Sequence, residues 1–142
     1  MKRIPVVITL VLLTFLLGAT LASGQSLEVK GIELCNDGKF DQAIATFNEG
    51  LKQKPNDPNL LFLRGKAYTA KGQYAPALAD LNQAIQLKPG FGQAYFGRAM
   101  VHVYQENFDE ALKDLELAEK NGYKDSDFFI LVKKKAENKK KK

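Results

Sequence analysis

Cysteine and histidine each occur once in the 142 residues, as Cys35 and His102. A single cysteine cannot close an intramolecular disulfide, and one of each cannot assemble a zinc-type ligand set. A Ser–His–Asp arrangement would have to be built on His102, and no nucleophile-elbow motif accompanies it. No catalytic residue, metal ligand or cofactor-binding residue is therefore assigned, and no cofactor is expected. A basic folded surface is also missing. The formal charge is +5, but Lys2 and Arg3 supply two of those charges and residues 133–142 a net six, which leaves −3 for residues 4–132. A mildly acidic body carries no electrostatic footprint for nucleic acid, so no specific nucleic-acid partner is expected.

What is present begins with an apolar leader. Lys2 and Arg3 precede the run Val6 to Leu17, and Ala19, Ala22, Ser23 and Gly24 follow it. Basic, apolar, then small is the order of a secretory signal, assigned to residues 1–24 with cleavage after Ala22 or Gly24. The alternative is an uncleaved anchor, because Ile4 to Ala22 spans 19 residues, close to the roughly 20 that cross a bilayer core. Under both readings the remainder is exported, to the periplasm or beyond the cell.

Internal repetition is the strongest signal. Gly31, Gly65 and Ala99 are spaced by 34 residues, as are Leu34, Tyr68 and His102, then Ala43, Ala77 and Ala111. The same step links Phe47, Leu81 and Leu115, and Gly50, Ala84 and Ala118. Pro55 and Pro89 continue the series to Tyr123, and Gly38 and Gly72 continue to Glu106. The small residues permit close approach of two helices, and the prolines stop the second helix of each pair. Phe40, Tyr74 and Phe108 open the second helices and cover the hinges.

Apolar residues recur three and four apart within each segment, which predicts six helices. They span about Leu27–Asn36, Phe40–Lys52, Asn59–Ala70, Tyr74–Leu87, Gln93–Tyr104 and Phe108–Lys120. Asp57 before Pro58 reads as an N-cap followed by a first-turn proline. A seventh helix, with Ser126 as its expected N-cap, would cover the apolar end with Phe128, Phe129, Ile130, Leu131 and Val132.

These residues resemble the tetratricopeptide repeat family. The resemblance covers Gly24 to about Val132 and implies an all-α, right-handed solenoid of three helix–turn–helix repeats with a C-terminal capping helix. The repeats are assigned to residues 25–57, 58–91 and 92–125, the capping helix to 126–138 and a lysine-rich tail to 139–142. It further implies a protein-binding module without cofactor, whose first helices line a concave groove. By that resemblance Glu28, Val29, Ile32, Phe62, Leu63, Lys66, Phe96, Met100, Val103 and Tyr104 face the groove. Val29, Ile32, Phe62, Leu63, Lys66, Phe96, Met100 and Tyr104 are taken as the partner-binding set. Some members clamp a C-terminal carboxylate with Lys, Asn and Arg. The corresponding positions here hold Glu28, Ile32, Leu63, Gln93 and Gly97, which argues against a chaperone-type acidic tail as ligand.

An apolar peptide or helix is the expected ligand, since aromatic anchors and adaptable Met suit such a surface. Two other readings stay open. Some of these side chains could pack against the capping helix or adjacent repeats, and the same patch could support a homodimer. His102 takes the register position of Leu34 and Tyr68 and is read as a packed inter-helix residue. Cys35 is read as a small packing residue, with an intermolecular disulfide as the alternative in an oxidising compartment.

The end of the chain carries Lys133, Lys134, Lys135, Lys139, Lys140, Lys141 and Lys142 against Glu137 alone. Such a run is read as solvated and disordered beyond the helix end. An electrostatic contact with an anionic membrane or an acidic partner is the functional alternative. The leading expectation is thus an exported adaptor within a cell-envelope assembly. A surface binder acting through the lysines stands second, and an enzyme third.

Overall fold

A computed structural model of the protein describes residues 27–141. Seven helices run through them: α1 over 27–36, α2 Phe40–Gln53, α3 Pro58–Ala70, α4 Tyr74–Leu87, α5 Gly92–Tyr104, α6 Phe108–Lys120 and α7 Ser126–Lys140. There is no strand among the described residues. Helices α3 and α4, and α5 and α6, form successive hairpins and α7 packs on α6. Helices α1 and α2 form the first hairpin, closed by the Lys39 amide donating to Leu34 O at 2.8 Å and by the approach of Gly31 to Phe47. The expected leader, with its two fates, lies outside the described residues. Among those described, no helix is long and apolar enough to cross a membrane.

Local chemistry explains the boundaries. Pro55 and Pro89 each stand two residues past a helix end. The last turns close just before them, with the Lys54 amide donating to Gly50 O and the Lys88 amide to Ala84 O, both at 2.9 Å. At the start of α3, Asp57 Oδ1 accepts from the amides of Asn59 at 2.9 Å and Leu60 at 3.3 Å, with Pro58 in the first turn. The cap of α7 differs from the expectation. Asp125, not Ser126, accepts from the Phe128 amide at 2.9 Å, and Ser126 is the first helical residue. A carboxylate makes the stronger, charge-assisted cap and suits the positive end of the helix dipole.

The hinge inside each hairpin needs one left-handed residue. Gly38 and Gly72 supply it with φ of 74° and 73°, while Glu106 does so at 58°. A side chain in that region costs about 1–2 kcal/mol, part of which glycine's greater unfolded freedom takes back. Glu106→Gly is therefore expected to raise stability by up to about 1 kcal/mol, read as a thermal midpoint a few degrees higher. A fall in midpoint would show that the Glu106 side chain matters more than its backbone strain.

The recurring small residues are close-approach points. A Cβ on Gly31 would lie 2.2 Å from Phe47 Cε1, and one on Gly65 would lie 3.0 Å from Leu81 Cγ. Ala43, Ala77, Ala99 and Ala111 are fully buried at the same hairpin seams. One core runs from Ala43 and Phe47 through Leu61 and Leu81 to Val101. A second joins Ala99, Ala111 and Leu115 to Val132 of α7, with Phe96, Phe128 and Phe129 packed against it.

Polar residues also repeat. Arg64 donates twice to its own repeat's Asp80, at 2.7 Å each, and at 2.7 Å to Asn48 Oδ1 of the preceding repeat. Arg98 does the same with Asp114, at 2.8 and 2.6 Å, and with Asn82 at 2.7 Å. Asp80 and Asp114 are buried, at 5% and 4% exposure, so each fork satisfies a carboxylate that has left water. Hydrogen bonding to these carboxylates raises the already high pKa of both guanidinium groups.

Candidate functional site

Helices α1, α3, α5 and α7 occupy equivalent places in the register, so one face of the solenoid is built from them. Between α1 and α3 this face opens into a cavity of about 250 Å³. Ile32, Cys35 and Asn36 line it from α1, Phe40 from the start of α2, and Leu63, Lys66, Ala67 and Ala70 from α3. Ile32, Leu63 and Lys66 of the expected binding set thus come together. Cys35, Asn36, Phe40, Ala67 and Ala70 were not in that set. Ala70 carried a readable signal, because the residue one period later is Tyr104.

The cavity wall is mostly apolar, and its chemistry keeps it so. Burial pushes the Cys35 thiol above its usual range, and nearby Lys66 opposes this only in part. A raised pKa means that the neutral thiol persists to higher pH than in a free cysteine. Alkylation of Cys35 by iodoacetamide is expected to be slower than that of glutathione at pH 8, with its rate rising at a higher pH. Equal rate–pH profiles would show that burial does not hold the thiol neutral. The lone charge on the wall, Lys66, is exposed, with its ammonium 5.5 Å from the centre of the Phe62 ring.

The other members of the expected set are placed differently. The Phe62 ring meets Phe91 at 5.0 Å between centroids, and its edge would lie 3.4 Å from a Cβ on Gly97, whose lack of a side chain leaves room for the ring. Phe96 sits against Tyr123 at 4.8 Å and Phe128 at 5.3 Å, so the last loop and α7 take up much of its ring. Tyr104 stacks on Tyr74 with centroids 5.9 Å apart and planes within 10°. Met100 is half-buried, Val103 packs on the second core, and Val29 is 54% exposed on α1. Glu28 is half-buried and Gln93 exposed.

Helix α7 runs to Lys140, two residues past the expected end of the capping helix, and Lys133, Lys134 and Lys135 are exposed helical residues. Lys139 donates to Glu106 O at 2.8 Å and lies 3.6 Å from its carboxylate, while Lys140 pairs with Asp109 at 3.0 Å. Lys141 is exposed just past the helix, and Lys142 lies outside the described residues. These ion pairs rim a wider depression of about 430 Å³ around Phe108. His102 is half-buried, its Nε2 3.7 Å from Asp114 Oδ2 and its Nδ1 buried without a hydrogen-bond partner.

Comparison with solved structures places this arrangement among known folds. The first TPR domain of human RPAP3 superposes with a TM-score of 0.77 at 25% identity, over 83% of this chain and 95% of that one. The Sgt2 TPR domain of Aspergillus fumigatus gives 0.77 at 23% identity, over 84% and 82%. The first TPR of Spaghetti (RPAP3), solved with the HSP90 peptide SRMEEVD, gives 0.74 at 26% identity, over 82% and 93%. No curated protein matches the sequence. The TPR repeat profile matches residues 31–72 and 65–105, on the same period that sets the hairpins, and the chain belongs to the TPR repeat family.

Proposed function

We propose that this chain is an exported interaction scaffold that holds an apolar peptide or helix of a partner protein within a cell-envelope assembly. The observation that carries the reading is the open apolar cavity between α1 and α3, on the face built from the first helices. A relative at 26% identity, the Spaghetti domain, was solved with a bound peptide, which favours the same use of the fold here. The carboxylate-clamp positions hold Glu28, Ile32, Leu63, Gln93 and Gly97, so the ligand is of a different kind from an acidic chaperone tail. Export rests on the order of residues 2–24: basic, apolar, then small.

The test is recovery of partners from an envelope extract by the full chain and by Ile32→Glu/Leu63→Glu. Both side chains line the cavity wall, so the new charges should abolish recovery of a specific partner while the helical content stays the same. Recovery of the same proteins by both forms would sink the groove assignment. A partner that proves to be a second copy of the chain would make the face a dimer interface.

A second reading is favoured by one surface. On α7, Ile130 and Leu131 are 64% and 48% exposed beside the exposed Lys133, Lys134 and Lys135. Apolar and basic side chains together suit an anionic bilayer, where each lysine contributes about 1 kcal/mol. Lys133→Glu/Lys134→Glu/Lys135→Glu is then expected to abolish cosedimentation with phosphatidylglycerol vesicles. Equal cosedimentation of both forms, or none of either, removes this reading.

A further inference from the structure

The junctions between successive first helices are related by the 34-residue step; every wall position changes between them, but the aromatic residue that opens the second helix is kept, as Phe40 and then Tyr74. At the first junction Phe40 opens α2 and Ala70 ends α3; at the second, Tyr74 opens α4 and Tyr104 ends α5. In the second junction the Tyr104 ring lies almost parallel to Tyr74, 5.9 Å away. In the first, Ala70 has no ring to place there, and the 250 Å³ cavity bordered by Phe40 and Ala70 takes its place. One junction therefore displays, inside the same molecule, the group that the other lacks.

The rest of the wall fits such a group. Ile32, Leu63 and Ala67 offer apolar contacts to a ring, and Asn36 adds a polar edge. Lys66 stands exposed at the border and, among the described residues, is held by a ring face rather than by a carboxylate. Its charge is complementary to an acidic group arriving with the ring.

We infer that this cavity receives an aromatic side chain of a peptide partner, stacked on Phe40 as Tyr104 stacks on Tyr74, with a carboxylate of the same peptide paired to Lys66. The inference rests on the groove reading above and narrows its ligand from an apolar segment to an aromatic residue with an acidic neighbour. Stacked aromatic pairs gain beyond the area they bury, which gives a ring the advantage over an aliphatic side chain of similar size. Ala70→Tyr would supply the ring from α3 itself and close the cavity, and the second junction shows that the fold accepts tyrosine at this register position.

The experiment selects random peptides of about a dozen residues on the immobilised full chain by phage display. The selected peptides are then titrated calorimetrically against the wild type, Ala70→Tyr, Lys66→Gln and Ile32→Glu/Leu63→Glu. The expected result is a shared aromatic residue close to Asp or Glu, and an affinity lowered by about tenfold or more in Ala70→Tyr. Lys66→Gln should weaken binding less, and should have no effect once the peptide's acid is replaced by its amide. Bound peptide should also slow alkylation of Cys35 in the wild type, a readout that does not depend on any variant folding. Selected peptides without a common aromatic residue, affinity unchanged in Ala70→Tyr but lost in Ile32→Glu/Leu63→Glu, or Cys35 alkylated at the same rate under saturating peptide would each overturn the aromatic receptor and leave the groove standing. Failure of the wild type to select any peptide would overturn both.

Discussion

Asp80→Ala is expected to lower the free energy of unfolding by about 3 kcal/mol. Asp80 is buried, and its two oxygens accept both arms of the Arg64 fork. Removing it leaves a guanidinium without its counter-ion, and breaking a buried pair from one side typically costs about 3–5 kcal/mol. The lower figure applies because Arg64 keeps 22% of its side-chain surface, so water can solvate part of the freed charge. In a domain of this size, the thermal midpoint should fall by roughly 10 °C or more. The controls separate charge from shape. Asp80→Asn keeps one acceptor and should cost less, while Arg64→Met/Asp80→Leu removes both charges together and should recover much of the loss. A double variant as unstable as Asp80→Ala would mean that the fork matters for more than satisfying its own buried charge.

Asn48 adds a second readout. It belongs to the preceding repeat, so the Arg64–Asn48 bond spans a repeat boundary. In a solenoid, stability is approximately a sum of repeat terms and neighbour terms. Asn48→Ala should weaken the neighbour term alone and broaden the urea transition, whereas Asp80→Ala also loosens the hairpin of α3 and α4.

Gly31→Ala is expected to cost about 1–3 kcal/mol, as overpacking of a filled core does. The added methyl would fall 2.2 Å from the ring of Phe47, which is 1% exposed and has little room to withdraw. Urea titration should show a lower midpoint with an unchanged slope. The repeats themselves indicate the suppressor. Gly31 faces Phe47 in the first hairpin, and in the third the register places Ala99 with Leu115. As the residue on the first helix gains a methyl, the residue on the second has lost a ring. Gly31→Ala/Phe47→Leu reproduces the third pairing and should be more stable than Gly31→Ala alone. Greater instability in the double variant would show that the two positions do not compensate.

That compensation is also why the fold was legible. Small residues, prolines and hinge aromatics recurring at one step specify hairpins whether or not any one copy is complete, and Gly31, Gly65 and Ala99 mark the seams. Features that depend on likeness between copies could be read in this way. The Arg64 and Arg98 forks obey the same period, but in polar residues rather than in the apolar and small ones that mark the hairpins. Features that arise where copies differ were harder to see. The cavity between α1 and α3 is one of these, because Ala70 borders it where the next copy carries Tyr104. Contacts without periodic form were legible only as an alternative: Phe96 packs on Tyr123 and on Phe128 of α7, the packing on the capping helix that the sequence left open. Asp125 takes the cap expected of Ser126 because its carboxylate is the group that reaches the Phe128 amide.

The ion pairs that tie the end of α7 to the start of α6 give salt two opposed roles. Lys139, Glu106, Lys140 and Asp109 all keep more than half of their side-chain surface in water, so ions at a few tenths molar screen their attraction. The buried Arg64 and Arg98 forks are shielded from the same ions. Raising ionic strength should therefore unzip the last turn of the chain while leaving the hairpins intact. It would release two cations from the protein's own acids under the very conditions that weaken their hold on any other anion. The number of lysines that the chain presents to its surroundings is in this sense a variable set by the medium, greatest where each one counts for least.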